Sequence, residues 1–169
     1  MELDILAEKE NVICEMVSNL YRTKSNDDSE IFTSIYNQYK SIHLQYSELS
    51  KNNLEALKRG LFIQWYQKTE PNFLSGISDL EQDAEKQIVN NLFTVINTKQ
   101  VDSELIWMLN YYNSWDWVFL NYENFRRFDT NLVNEANNRL PENIDKKLML
   151  KRGQMGKYWL SLIKYGSTE

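Results

Sequence analysis

The sequence predicts an all-α fold: a single domain over residues 1–169, built as a bundle of six or seven mostly antiparallel helices. Apolar residues recur at helical spacing along most of the chain, and no sustained alternation marks a strand. The chain has only 5 Gly and 2 Pro among its 169 residues, which is few for a protein rich in loops or hairpins. Its aromatic content of 13% is too high for a disordered chain, so we expect a packed core.

Polar and proline-containing breaks bound the first three helices. The first helix ends at the polar cluster of residues 25–28, and the second runs to about Leu49. Ser50 is predicted to cap the third helix, because a serine side chain can accept a hydrogen bond from the first turn. Pro71 disfavours helical dihedrals at the residue before it, so a loop over residues 70–76 should follow the third helix.

Capping signals and glycines bound the fourth helix and the C-terminal helical stretch. Ser78 and Glu81 have the spacing of a capping box and predict the start of the fourth helix. The last stretch of the chain has apolar residues at helical spacing, with bends predicted at Gly153 and Gly156.

The fifth helix is predicted to be the centre of the bundle. Asp102 can cap it, and helical spacing continues over about residues 103–123. Apolar side chains, several of them aromatic, cover most of its circumference, which is typical of a helix buried on several sides.

Asp116 is the first candidate functional residue, because its carboxylate falls in a largely apolar stripe of this helix. It stands between Trp115 and Trp117, and Arg127 follows further along the same stripe. A buried carboxylate needs a cation, hydrogen bonds or a proton. One interpretation is an acid or ligand anchor in an aromatic pocket, and the other is a structural ion pair.

The second helix carries the other candidate site residues. Tyr39 and His43 share one face, and Tyr112 of the fifth helix could meet them. Tyrosine and histidine combine an apolar body with a polar tip, so this face could line a polar-tipped cavity. The alternative is an ordinary core whose hydroxyl groups are satisfied at its rim.

Most catalytic and cofactor-binding motifs are missing from the sequence. With one histidine and one cysteine, the chain cannot form an internal disulfide or a thiolate metal cluster. Phosphate-binding glycine loops and His-Glu-x-x-His spacings are also absent from the sequence. We therefore predict no cofactor and no metal site.

Charge is distributed unevenly along the chain. Residues 1–138 carry 12 basic and 21 acidic side chains, whereas residues 139–168 carry 7 basic and 2 acidic ones. The basic segment could bind an anionic partner or dock against the protein's own acidic face. Nucleic-acid binding is not predicted for a chain with a net charge of −5 and no recognition motif. No signal peptide or membrane-spanning run is visible, so we expect a cytoplasmic protein.

These observations predict a non-enzymatic cytoplasmic helical module that binds another protein or associates with itself. The motivation is the surplus of Tyr and Trp, which are the residues that anchor protein interfaces. The alternative is a small-molecule-binding protein or enzyme with a pocket around Asp116, in which His43, Tyr39, Tyr112, Trp115 and Arg127 take part.

Overall fold

The computed structural model describes residues 2–23, 29–113, 118 and 145–166, the last four by their backbone only. Eight α-helices and no strand lie in these ranges, which confirms the predicted all-α bundle. Two of the eight are only four residues long and were not predicted as separate helices. A further short helix, predicted over about residues 131–140, lies outside the described residues. The helices are α1 (Glu2–Thr23), α2 (Ser29–Leu49), α3 (Leu54–Thr69), α4 (Asn72–Ser75), α5 (Gln82–Asn97), α6 (Ser103–Asn113), α7 (Lys146–Met149) and α8 (Gly153–Gly166).

Helix α3 is the most completely buried element of the described chain. Every residue from Ala56 to Trp65 is buried, including Lys58 and Arg59. The helix packs against α2, α4, α5 and α8, which together surround it. Of the helix predicted to be central, the structure describes α6 and, beyond it, the single residue Val118, which is also buried. The rest of residues 114–123 lies outside the described residues.

An aromatic cluster joins α3, α6 and α8. The indole rings of Trp107 and Trp159 meet at 4.5 Å between centroids, and Trp65 stacks on Tyr112 at 4.9 Å. Such ring pairs contribute about 0.5–1.5 kcal/mol each beyond the burial of their area. The cluster therefore fixes how the three helices pack. Its members are Phe62, Trp65, Tyr66, Trp107, Tyr111, Tyr112, Tyr158 and Trp159.

Two of the predicted helix starts are wrong. The side chain of Asn53, and not that of Ser50, caps α3 by accepting a hydrogen bond from the backbone amide of Ala56 at 3.1 Å. The capping box of Ser78 and Glu81 does not form, because the Ser78 hydroxyl donates to the Asp79 carboxylate instead. Helix α5 begins at Gln82 without a side-chain cap.

The chain around residues 70–76 and residues 150–153 also differs from the prediction. The short helix α4 replaces the loop expected after Pro71. The C-terminal stretch does not bend at Gly153 but breaks there, since α7 ends at Met149 and α8 starts at Gly153. The predicted cap of the fifth helix is confirmed, because Asp102 accepts a hydrogen bond from the amide of Leu105 at 2.8 Å.

Candidate functional site

A buried carboxylate at the contact between α1 and α8 is the centre of a polar network. Glu10 is 1% exposed and lies on the stripe of α1 that also buries Leu6 and Ile13. One of its oxygens accepts a hydrogen bond from the Tyr46 hydroxyl at 2.5 Å. The other accepts from the backbone amide of Gln154 at 3.0 Å. Glu10 therefore caps the first turn of α8, where the helix dipole favours negative charge.

Gln154 extends this buried polar network toward α2 and α4. Its side-chain amide donates to the carbonyl oxygen of Ser75 at 2.9 Å. Its side-chain oxygen accepts from the Tyr39 hydroxyl at 2.5 Å, and the same hydroxyl lies 3.8 Å from the Cys14 sulfur. The network thus connects four helices through buried groups that have found partners, as buried polar groups must.

Gly153 makes the contact between Glu10 and α8 possible. Its φ of 61° lies in the left-handed region that favours glycine. A Cβ atom there would stand 2.7 Å from the carboxylate atoms of Glu10. Only glycine satisfies both the backbone conformation and the close approach of the carboxylate.

Burial shifts the pKa values of the network's acidic groups. Desolvation raises the pKa of Glu10 to about 7, although hydrogen bonds from Tyr46 and Gln154 oppose the shift. Desolvation also raises the pKa of the Cys14 thiol and the pKa of the Tyr39 hydroxyl. Glu10 is thus the one of these groups that changes its protonation near neutral pH.

A second polar feature, the ion-pair network, holds α3, α6 and the α7–α8 junction together. The Arg152 guanidinium binds both Glu55 and Glu104, with its Nη2 atom 2.5 Å from Glu55 Oε2. The Lys58 ammonium binds Asp102 and Glu104 at 2.6 Å each. The members of the ion-pair network are Glu55, Lys58, Arg59, Asp102, Glu104 and Arg152.

The charges of the ion-pair network balance, with three cations and three carboxylates. Burial alone would raise the pKa of Glu104, but hydrogen bonds from Arg152 and Lys58 lower it overall. Arg59 donates to Glu55 at 2.7 Å and to the carbonyl oxygen of Leu3 at 2.9 Å. These groups are committed to joining helices, so we interpret the network as structural.

Replacing Arg152 with methionine is expected to lower the free energy of unfolding by about 2–3 kcal/mol. The change removes a cation while two partly buried carboxylates stay close together. Urea denaturation measures the loss. The matched control is Lys86→Met, which breaks an exposed pair with Asp83 at 3.8 Å and should change stability by less than about 0.5 kcal/mol. Equal losses in the two variants would contradict the prediction.

The predicted site residues that the structure describes lie in different surroundings. Tyr39 belongs to the polar network, whereas Tyr112 is fully buried in the aromatic cluster. His43 is also fully buried, and neither of its ring nitrogens has a hydrogen-bond partner among the described residues. Desolvation lowers the pKa of His43 to about 3, so its ring is neutral at physiological pH.

The other three predicted site residues, Asp116, Trp115 and Arg127, lie outside the described residues. The pocket predicted around Asp116 therefore stays a prediction. A cavity of about 240 Å³ is found elsewhere, among α1, α3, α4 and α8. Cys14 and Gln154 of the polar network form part of its wall, and Lys157 lies beside them.

Comparison with protein-family models, curated protein sequences and solved structures found no significant match to this chain. Within the described ranges, no helix has both the length and the hydropathy required to cross a membrane. No group of three or more potential metal-ligating side chains occurs in the same part of the chain. The surfaces and cavities of the fold itself are therefore the features that can indicate a function.

Apart from Tyr39 and the cap residue Asp102, sequence reasoning missed the residues that form the two polar networks, although one signal was present. Glu10 is a charged residue within the apolar stripe of α1, between Leu6 and Ile13 at helical spacing. That interruption is the same signal that singled out Asp116. Nothing comparable marks Arg152, whose partners Glu55 and Glu104 are 97 and 48 residues away in the sequence.

Proposed function

We propose that this protein is a non-catalytic helical module that associates with a second copy of itself through the surface where α1 meets α7. The aromatic side chains that first suggested an interface are largely taken up by the core: the described tryptophans, Trp65, Trp107 and Trp159, are all buried. Support for the proposal comes instead from exposed aliphatic and charged side chains.

Large aliphatic side chains are exposed on both elements of this surface. Ile5 and Val12 of α1 are 51% and 56% exposed, and Leu148 and Leu150 around α7 are 58% and 60% exposed. A groove of about 360 Å³ lies between α1 and the turn that follows α7, lined by α1 residues on one side and by Leu150 and Lys151 on the other. Exposed apolar side chains grouped at a groove are typical of a binding surface.

The charges around this groove carry the proposal. Around Val12, the exposed face of α1 presents two carboxylates, Glu8 and Glu15, and one ammonium group, Lys9, so it is acidic on balance. Around Leu148, α7 presents the exposed ammonium groups of Lys146 and Lys147. None of these five charged side chains takes part in an ion pair within the described part of the chain.

A surface with one acidic and one basic half is complementary to itself. In a two-fold symmetric dimer the same patch is used by both subunits, so the acidic half of each copy meets the basic half of the other. The aliphatic side chains of both halves are then buried together, and the charges fix the register. A second copy of the chain therefore matches the charge pattern of this surface.

Charge reversal tests the proposal. We expect sedimentation velocity to show a dimer at about 0.1 M salt that weakens toward 1 M, where the Debye length has fallen to about 3 Å. Glu8→Lys alone and Lys147→Glu alone should each weaken the dimer about tenfold or more. Each substitution places like charges opposite one another, and the two-fold symmetry repeats this repulsion in both copies of the contact. The doubly reversed chain should dimerise again, since both contacts are restored with opposite polarity.

The control is Glu48→Lys, which makes the same charge change at an exposed position of α2. It should leave the dimer unchanged. A monomer at every concentration and salt level would overturn the proposal, as would a dimer that the charge reversals do not affect. A monomer that binds a different protein through α1 and α7 would also overturn self-association.

A further inference from the structure

The cavity among α1, α3, α4 and α8 has a wall that suits an anionic ligand. Its polar lining includes Cys14 and Ser18 from α1, Tyr66 from α3, and Lys157 and Ser161 from α8. Leu74 of α4 supplies an apolar side. This combination of a few polar groups and an apolar wall in a concave site is typical of small-molecule sites.

Lys157 is the only charged side chain among the described residues that line the cavity. Its ammonium group forms no ion pair with a residue in the described ranges. Glu70 raises the pKa of Tyr66 through its charge, but it does not line the cavity. The charge of Lys157 also acts on the buried carboxylate of Glu10, which does not line the cavity either. The described part of the wall therefore presents one positive charge, and the nearby carboxylates of Glu10 and Glu70 are not part of it.

The other polar side chains of the wall differ in which hydrogen bonds they can still form. Each polar atom of the Gln154 side chain already has a partner, since the oxygen accepts from Tyr39 and the nitrogen donates to Ser75. Ser18 donates its proton to the carbonyl oxygen of Cys14, and Ser161 donates its proton to that of Tyr158. Each serine oxygen retains lone pairs, so both serines are available as acceptors but not as donors.

We propose that this cavity binds a small hydroxy-carboxylate. The carboxylate pairs with the Lys157 ammonium group, and the ligand's hydroxyl donates to the oxygen of Ser18 or Ser161. A volume of about 240 Å³ lies just below the range of about 300–1,000 Å³ that is typical of small-molecule sites, which favours a small ligand. Leu74 contacts the ligand's carbon atoms.

Three matched probes test the chemistry of the ligand by NMR titration of the isotope-labelled full chain. Lactate has the carboxylate and the hydroxyl, propionate lacks the hydroxyl, and lactamide lacks the charge. We expect saturable shifts for lactate at amides of α1 and α8, several-fold weaker binding of propionate, and no saturable binding of lactamide. Equal binding of lactate and lactamide would overturn the proposal, as would tighter binding of inorganic phosphate than of lactate.

Variants test the location. Lys157→Met should weaken lactate binding about tenfold or more, as expected for the loss of a charged partner, and Lys157→Arg should retain part of the affinity. Leu74→Trp should weaken binding by filling the cavity while keeping the charge. Lys51→Met, which removes an exposed ammonium group between α2 and α3, should have no effect. Binding that survives both Lys157→Met and Leu74→Trp would overturn the assignment.

Discussion

Replacing Gly156 with alanine is expected to lower the free energy of unfolding by about 4 kcal/mol or more, enough to prevent folding of many domains of this size. A Cβ atom at this position of α8 would stand 1.8 Å from the carbonyl oxygen of Met149 and 2.8 Å from its carbonyl carbon. Both are backbone atoms, so no side-chain rotation relieves the overlap. Helix α8 would have to move away from the end of α7. Circular dichroism and urea denaturation measure the loss.

Gly60→Ala is the matched control, because it makes the same change inside another helix. The added Cβ would meet the Cδ1 atom of Ile88 at 2.4 Å, but this atom is the end of a flexible side chain that can rotate. Alanine also favours a helix interior over glycine by about 1 kcal/mol, which offsets the repacking. We expect Gly60→Ala to stay within about 1 kcal/mol of the unmodified protein. Similar stabilities for Gly156→Ala and Gly60→Ala would contradict the prediction.

The second large effect expected is a fall in the contribution of Glu10 to stability as the pH rises from about 4.5 to about 7. Buried His43 acts in the opposite direction below about pH 6.5, because its pKa is lowered in the folded state. Glu10 has a folded-state pKa of about 7 against 4.5 in the unfolded chain, so the folded state binds more protons between these values. Its contribution is full below pH 4.5 and is lost as the pH rises through 7. The shift corresponds to about 3 kcal/mol over this range.

Several groups face Glu10 and act on this titration. Tyr46 of α2 and the Gln154 amide of α8 donate hydrogen bonds to it, and the charges of Arg59 and Lys157 favour its ionised form. Burial outweighs all of these, which sets the direction of the shift.

Comparison of Glu10→Gln with Glu48→Gln isolates the effect of Glu10. The first variant keeps a polar, uncharged side chain in the buried site, so it should lose the fall in stability between pH 4.5 and 7 and keep the rise that His43 causes up to about pH 6.5. The second removes an exposed carboxylate of α2 and should retain the pH dependence of the unmodified protein. Urea denaturation at each pH measures the difference. A slope that persists unchanged in Glu10→Gln would assign the pH dependence to other groups.

The all-α fold could be predicted because its signals are local. Apolar spacing identifies α1, α2, α3 and α5. The Asp102 cap marks the start of α6, and its partner Leu105 is close to it in the sequence. Helix α4 was missed because four residues after a proline contain less than two turns of pattern. The start of α3 was misplaced because Ser50 and Asn53 are both good caps, and only the geometry of the folded chain chooses between them.

The polar networks could not be predicted because their contacts are distant in the sequence. Glu10 meets Gln154 across 144 residues, and Lys58 meets Asp102 across 44. A sequence shows that a buried carboxylate needs a partner, but it does not show which cation or amide supplies it. His43 illustrates the same limit, because the sequence placed it on one face with Tyr39 but left open whether that face lines a cavity or belongs to the core, where the structure buries it.

The hydrogen bond between Glu10 and the amide of Gln154 also has a consequence for synthesis on the ribosome. Helix α1 leaves the exit tunnel before α8, and the amide that binds its buried carboxylate is translated 144 residues after Glu10. Helices α2 and α4 also contact α1 and are translated earlier. The side of α1 that faces α8 is therefore exposed, or covered by a chaperone, until α8 has been translated.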